Sequence, residues 1–139
     1  MNETRGEAVL VSVPARAEFL HVVRTVVASV AARHDLTVDA IEDLRIAVDE
    51  ACAQLLRARG TEVVVEVCAI EDGIETICRT DAEVSMWPPE ELPRSLAAQV
   101  LRGLTDSVAW ELSASGPSVR FGKNGIRATR PAEGGGRPA

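Results

Sequence analysis

Apolar residues stand at positions 9, 11 and 13 of the stretch Glu7 to Val13, and the run stops at Pro14. That period of two predicts a short strand, ended where the ladder loses an N–H donor. From Ala15 to about Arg33 the period changes: Phe19, Val22, Val23, Val26, Val27, Val30 and Ala31 recur three and four apart, as on an amphipathic helix. The valines are β-branched and weak helix formers, so the spacing rather than the propensity decides the assignment. Arg16, Leu20 and Arg24 form a second stripe on this helix. A second helix begins at Thr37, a good N-cap, with Asp39 and Glu42 near its positive end. Its apolar positions are Ile41, Leu44, Val48, Ala51 and Leu55, and Arg57 and Arg59 precede Gly60, a suitable residue just past the end.

Thr61 to Ile70 and Ile74 to Thr80 read as two strands joined at Asp72-Gly73, a two-residue hairpin signal. With Glu71 opposite Ile74, Glu66 faces Arg79 and Cys68 faces Ile77, which puts Cys68 and Cys78 on opposite faces, beyond bridging. Asp81 to Pro93 is polar and proline-rich and predicts a long loop of the kind that often carries function. Leu96, Val100, Leu101 and Leu104 place a third helix over Arg94 to Thr105, weakened by Gly103 in its last turn. Two strands follow: Ser107 to Ser113, with Val108, Trp110 and Leu112 alternating, and Ser118 to about Thr129, with a bulge or turn at Asn124-Gly125. The order β-α-α-β-β-loop-α-β-β predicts an α+β fold, one mixed or antiparallel sheet with helices on one face. Residues 1–130 form the expected single domain, and 131–139, PAEGGGRPA, a disordered tail.

The composition narrows what this domain can do. The 139 residues carry 15 Lys and Arg against 21 Asp and Glu, a net charge of −6 that opposes non-specific phosphate binding and makes nucleic acid an unexpected direct ligand. No apolar run approaches the ~20 residues that span a bilayer, and Met1-Asn2-Glu3 lacks the charged lead of a secretory signal. A cytoplasmic protein without membrane contact is expected. Three cysteines without a CxxC pair, and His21 and His34 without a second ligand at helical spacing, give neither a disulfide framework nor a metal site. Trp87, between Met86 and Pro88-Pro89, is either an anchor for a partner or tucked onto its own domain.

Chemistry is concentrated in the second helix. Glu50 and Gln54 stand four apart and project from one face, where the carboxylate can accept a proton and the amide can reach a ligand. On spacing alone the plainer reading is that Asp49 and Glu50 are ordinary solvated charges on a helix. Together with Leu44-Arg45-Ile46-Ala47-Val48-Asp49-Glu50-Ala51, the strand-helix-helix opening resembles the GHKL-type serine kinases of the RsbW/SpoIIAB family that act as anti-sigma factors, a resemblance over residues 7 to about 129. It implies a Bergerat-type, histidine-kinase-like ATPase fold, sequestration of a sigma factor, and phosphorylation of an anti-sigma factor antagonist.

Residue by residue, the implied ATP site is degraded. The family pairs a general-base Glu with a magnesium-binding Asn; Glu50 matches, whereas Gln54 is one methylene longer and has to buckle or lose the ion. In the family's D-x-G-x-G stretch only Asp81 is kept, and Glu83 adds charge where a polyphosphate would approach. Ser95 and Ala97 stand where the glycines of the next helix belong. The expectation is a family scaffold whose kinase chemistry has lapsed, with ATP and magnesium used only if the kinase reading holds, and Glu50 a vestigial base. What remains is surface: Arg16, Leu20 and Arg24 are the positions expected to meet a sigma factor, with a solvated helix face as the plain alternative. A homodimer through the edge strand near residues 7 to 13 is also expected.

Overall fold

The computed structural model describes residues 7–125. Five strands form one sheet in the order β1-β2-β3-β5-β4, with every neighbouring pair antiparallel: β1 Ala8–Pro14, β2 Glu62–Ile70, β3 Gly73–Thr80, β4 Ser107–Ser113 and β5 Gly116–Asn124. Three helices complete the fold: α1 Leu20–Arg33, α2 Val38–Leu56 and α3 Leu96–Leu104. The α+β architecture expected from the element order is therefore present, with the sheet antiparallel throughout.

Alternation along the strands decides where the core lies. Val63, Val65 and Val67 of β2, Ile74 and Cys78 of β3, and Val119 and Phe121 of β5 are buried against Val23, Val27, Leu44, Val48 and Leu55 of the helices. The opposite face carries charge: Arg79 pairs with Glu66 at 4.0 Å, and Arg120 with Glu75 at 3.6 Å and with Glu111. The sequence rule of one apolar face per strand thus produces a single helical layer over a sheet whose other face is polar.

Local details differ from the periodicity. The chain enters α1 through a 3-10 turn, Ala17–Phe19, so Arg16 precedes the helix, its guanidinium 5.1 Å from the Phe19 ring centroid and 3.4 Å from Glu18. Leu20, 9% exposed, packs in the core and does not share an outer stripe with Arg16 and Arg24. In the β2–β3 hairpin Ile70 pairs with Gly73, so the turn is Glu71-Asp72 and the register is two residues from the expected one. Glu66 faces Ile77 and Cys68 faces Glu75. A shift of two keeps every side chain on its face, so Cys68 and Cys78 still point apart. At the end of α2 the left-handed residue is Arg59, φ 65°, rather than Gly60. Gly60 instead allows a close approach, since a Cβ there would lie 2.4 Å from Asp81 Oδ1. The expected extension of β5 to Thr129 and the tail from residue 131 fall outside the described residues.

Candidate functional site

Helix α2 positions the candidate chemistry. The Thr37 hydroxyl caps it by accepting the Ala40 N–H at 3.1 Å, and Leu44, Ala47, Val48, Ala51 and Leu55 fix its inner face on the sheet. That orientation leaves Glu50 half-buried at the rim of the helix and turns Gln54, one turn later, inward to 5% exposure. Ser95 caps α3 in the same way, accepting from Ala98 N–H at 3.1 Å while its own hydroxyl donates to the Leu92 carbonyl at 2.7 Å. Between the two helices lies a cleft of about 210 Å³ bounded by Glu50, Gln54, Arg57, Ser95 and Ala97. It adjoins a second hollow of about 290 Å³ that shares Gln54, Arg57 and Ser95 and is closed by Trp87, Pro89 and Glu91.

Four of the five expected site positions, Glu50, Gln54, Ser95 and Ala97, therefore meet in one place. Asp81 does not join them. It lines a separate hollow of about 310 Å³ with Glu83 and the β4–β5 hairpin. Its carboxylate accepts the Thr61 hydroxyl, the Thr61 N–H at 2.7 Å and the Glu62 N–H at 3.2 Å. Asp81 thus ties the end of β3 to the start of β2. The Thr61 hydroxyl, then the Thr61 and Glu62 amides, hold its carboxyl down from 3.8 to about 2.

The decisive contact joins Gln54 to a residue outside the expected set, Trp110. Trp110 of β4 pairs with Val119, on the face turned toward the helices, and its indole Nε1–H donates to Gln54 Oε1 at 2.8 Å. Gln54 Nε2 is buried and has no partner in the described structure. The Arg102 guanidinium lies 5.2 Å from the Trp110 ring centroid and donates to the Pro93 carbonyl at 2.9 Å, joining α3, β4 and the loop. Trp87 is likewise tied down, donating to the Ser118 carbonyl at 2.9 Å. The sequence signal for Trp110 was its parity on β4: an inward indole has to find an acceptor.

Arg24 of α1 is one-third exposed, and its Nε lies 3.1 Å from Asp49 Oδ1 of α2. It is an interhelical ion pair at the outer surface rather than a free arginine. On the inner side of α2, Cys52 and Cys78 are buried together; the hydrogen bond of the Cys78 thiol with Cys52, and then burial, push that thiol above its ordinary range.

The sequence profile of the histidine kinase-like ATPase domain matches residues 13–123, from the end of β1 to the last residues of β5. The chain belongs to that family. Among histidine kinase-like ATPase relatives, the anti-sigma-F factor RsbW of Mycobacterium tuberculosis (strain ATCC 25618 / H37Rv) is 33% identical over 135 residues, covering 88% of this chain and 72% of the relative. The serine-protein kinase RsbW of Bacillus cereus (strain AH187) is 35% identical over 75 residues, 51% of this chain and 47% of the relative. The histidine kinase-like ATPase fold here has no described helix long and apolar enough to cross a membrane.

Proposed function

We propose that this chain is an anti-sigma factor that captures an RNA polymerase sigma subunit and withholds it from transcription without transferring a phosphoryl group. A relative matched over 88% of the chain carries the name anti-sigma-F factor, which supports the partner class. The observation that carries the mechanism is the Trp110–Gln54 hydrogen bond. Magnesium requires oxygen ligands in near-octahedral order. In the cleft the Gln54 oxygen is engaged by an indole, the Gln54 nitrogen is no ligand, and Glu50 is left as one carboxylate. This donor set does not fit the ion. Asp81 and Ser95 are already engaged, at the start of β2 and at the α3 cap.

Inhibition then comes from occupied surface. The outer side of α1 with Arg16 and the Arg24–Asp49 pair is the proposed docking face, with Leu20 supporting it from beneath. Such a protein works in the cytoplasm, where the polymerase is; release by an antagonist and a homodimer through the exposed edge of β1 belong to the same reading. Calorimetry of the full chain with candidate sigma subunits, without nucleotide, tests it. Tight binding that survives Glu50→Ala and falls at least tenfold in Arg24→Ala is expected; binding that requires Mg·ATP would refute sequestration without chemistry. The second reading, a serine kinase acting on an antagonist, is favoured only by Glu50, retained at the cleft, and by relatives named serine-protein kinase.

A further inference from the structure

Val38 and Ile46 of α2 are large, apolar and turned to solvent, 76% and 46% exposed, so neither belongs to the core. Both are β-branched, and alanine or glutamate would suit an exposed helical position better. The fold therefore gives no reason for them. Two turns of helix separate the pair, and the exposed Asp39 and Glu42 lie between them on the same outer face. Because α2 packs between α1 and α3, this face lies in the middle of the helical layer. Helix α2 carries five acidic residues and one arginine. Lys123 neutralises Asp43 at 3.0 Å and Arg24 neutralises Asp49 at 3.1 Å, whereas Asp39 and Glu42 have no ion pair among the described residues.

The outer face of α2 thus presents two apolar anchors with uncompensated negative charge between them. A second copy of this chain in a symmetric contact would bring the same charges against themselves, which is repulsive. A helix with apolar residues two turns apart and Lys or Arg one turn away matches the face in both polarity and sign. We infer that the face of α2 bearing Val38 and Ile46 is a docking surface for a basic amphipathic helix of the sigma subunit, one whose positive charge serves DNA. The identity of the partner rests on the sequestration reading; the surface is new to it. Asp49, held by Arg24, stands three residues from Ile46, so the arginine contact on α1 and the apolar anchors on α2 form one continuous surface. Glu42 then takes the place that a phosphate has for that helix on DNA, and a captured subunit cannot hold DNA through it at the same time.

Calorimetry of the full chain with candidate sigma subunits, and sedimentation of the chain alone, test this. Ile46→Ala and Val38→Ala are each expected to weaken capture about fivefold or more, and Glu42→Lys, which reverses the charge, more than Glu42→Gln. All these positions are exposed, so circular dichroism is expected to show unchanged helix content. Full affinity in both Ile46→Ala and Val38→Ala overturns the inference, as does tighter binding by Glu42→Lys, which marks an acidic occupant. A dimer of the natural chain that dissociates in Ile46→Ala seats a second copy on this face and overturns it too. If the natural chain captures no sigma subunit, the sequestration reading fails and the assigned occupant with it. Capture that is indifferent to these variants but weakened in Arg24→Ala leaves that reading standing and refutes the α2 face alone.

Discussion

The Asp81 carboxylate takes donors from Thr61, just before β2, and from Glu62, its first residue, and this arrangement makes a single side chain responsible for a pH-dependent part of the stability. Its carboxyl is lowered from 3.8 to about 2, by the Thr61 hydroxyl first. A carboxylate whose folded value lies below its unfolded one stabilises the fold fully above the unfolded value and loses that contribution as pH falls through the folded value. The window therefore runs from about pH 4 down to about pH 2. Asp81→Asn cannot titrate there and keeps a weaker set of acceptors. In urea titrations the variant is expected to unfold at lower denaturant than the natural chain near neutral pH, with the two midpoints converging toward pH 2. Parallel curves through that window would show that Asp81 does not carry the dependence. The residue resembles a family motif in sequence, yet its surroundings give it the work of a strand clamp.

At the scale of elements, periodicity made much legible and local turn chemistry did not. The 3.6-residue spacing of Leu44, Val48, Ala51 and Leu55 placed α2, and Thr37 marked its start, because each of those signals lies within a few turns of the others. The β2–β3 register was missed by two because Gly73 signalled a turn, whereas Gly73 belongs to β3: a Cβ there would lie 2.0 Å from the Lys123 carbonyl of β5. The same substitution of purposes occurs at the end of α2, where Gly60 serves packing against Asp81 and Arg59 takes the left-handed turn, φ 65°. A non-glycine residue there is strained by about 1 kcal/mol or more. Arg59→Gly is therefore expected to stabilise the protein by roughly 0.5–1 kcal/mol, the relief exceeding the added entropy of the unfolded chain. Its thermal midpoint, measured against that of the natural chain, checks the sign. Ser95 gives the opposite case. Its hydroxyl closes the N-terminus of α3 and also reaches Leu92, so Ser95→Ala is expected to cost about 1 kcal/mol in denaturant unfolding, mainly through the lost cap. A loss near zero would mean that water replaces the cap and that Ser95 is free to serve a ligand. No local pattern could have joined Trp110 to Gln54, 56 residues away, since only the folded sheet brings β4 under α2.

For the whole molecule, the net charge of −6 acts at distances where individual contacts do not. A sigma subunit binds DNA through basic surface, so an acidic body and a basic partner attract before they touch. Long-range attraction of that kind raises the association rate and is screened within about 8 Å at physiological salt, while the dissociation rate depends on contacts already formed. The proposed docking face is half-exposed: the Arg24–Asp49 pair has side chains 33% and 40% accessible, and a pair in that setting is worth only about 0.2–1 kcal/mol within the fold. Breaking it to engage a partner carboxylate is thus inexpensive, which suits an arginine that exchanges one partner for another on binding. Stopped-flow mixing with a cognate sigma subunit is expected to show association slowing about tenfold or more between low and high salt, with dissociation changing less than about threefold. Arg24→Ala is expected to raise the dissociation rate and leave the salt slope of association nearly unchanged, because one charge among many contributes little to steering but a directed contact holds the complex. If salt acted mainly on dissociation, charged pairs buried in the interface would be holding the complex, and the long-range reading of the acidic body would fall.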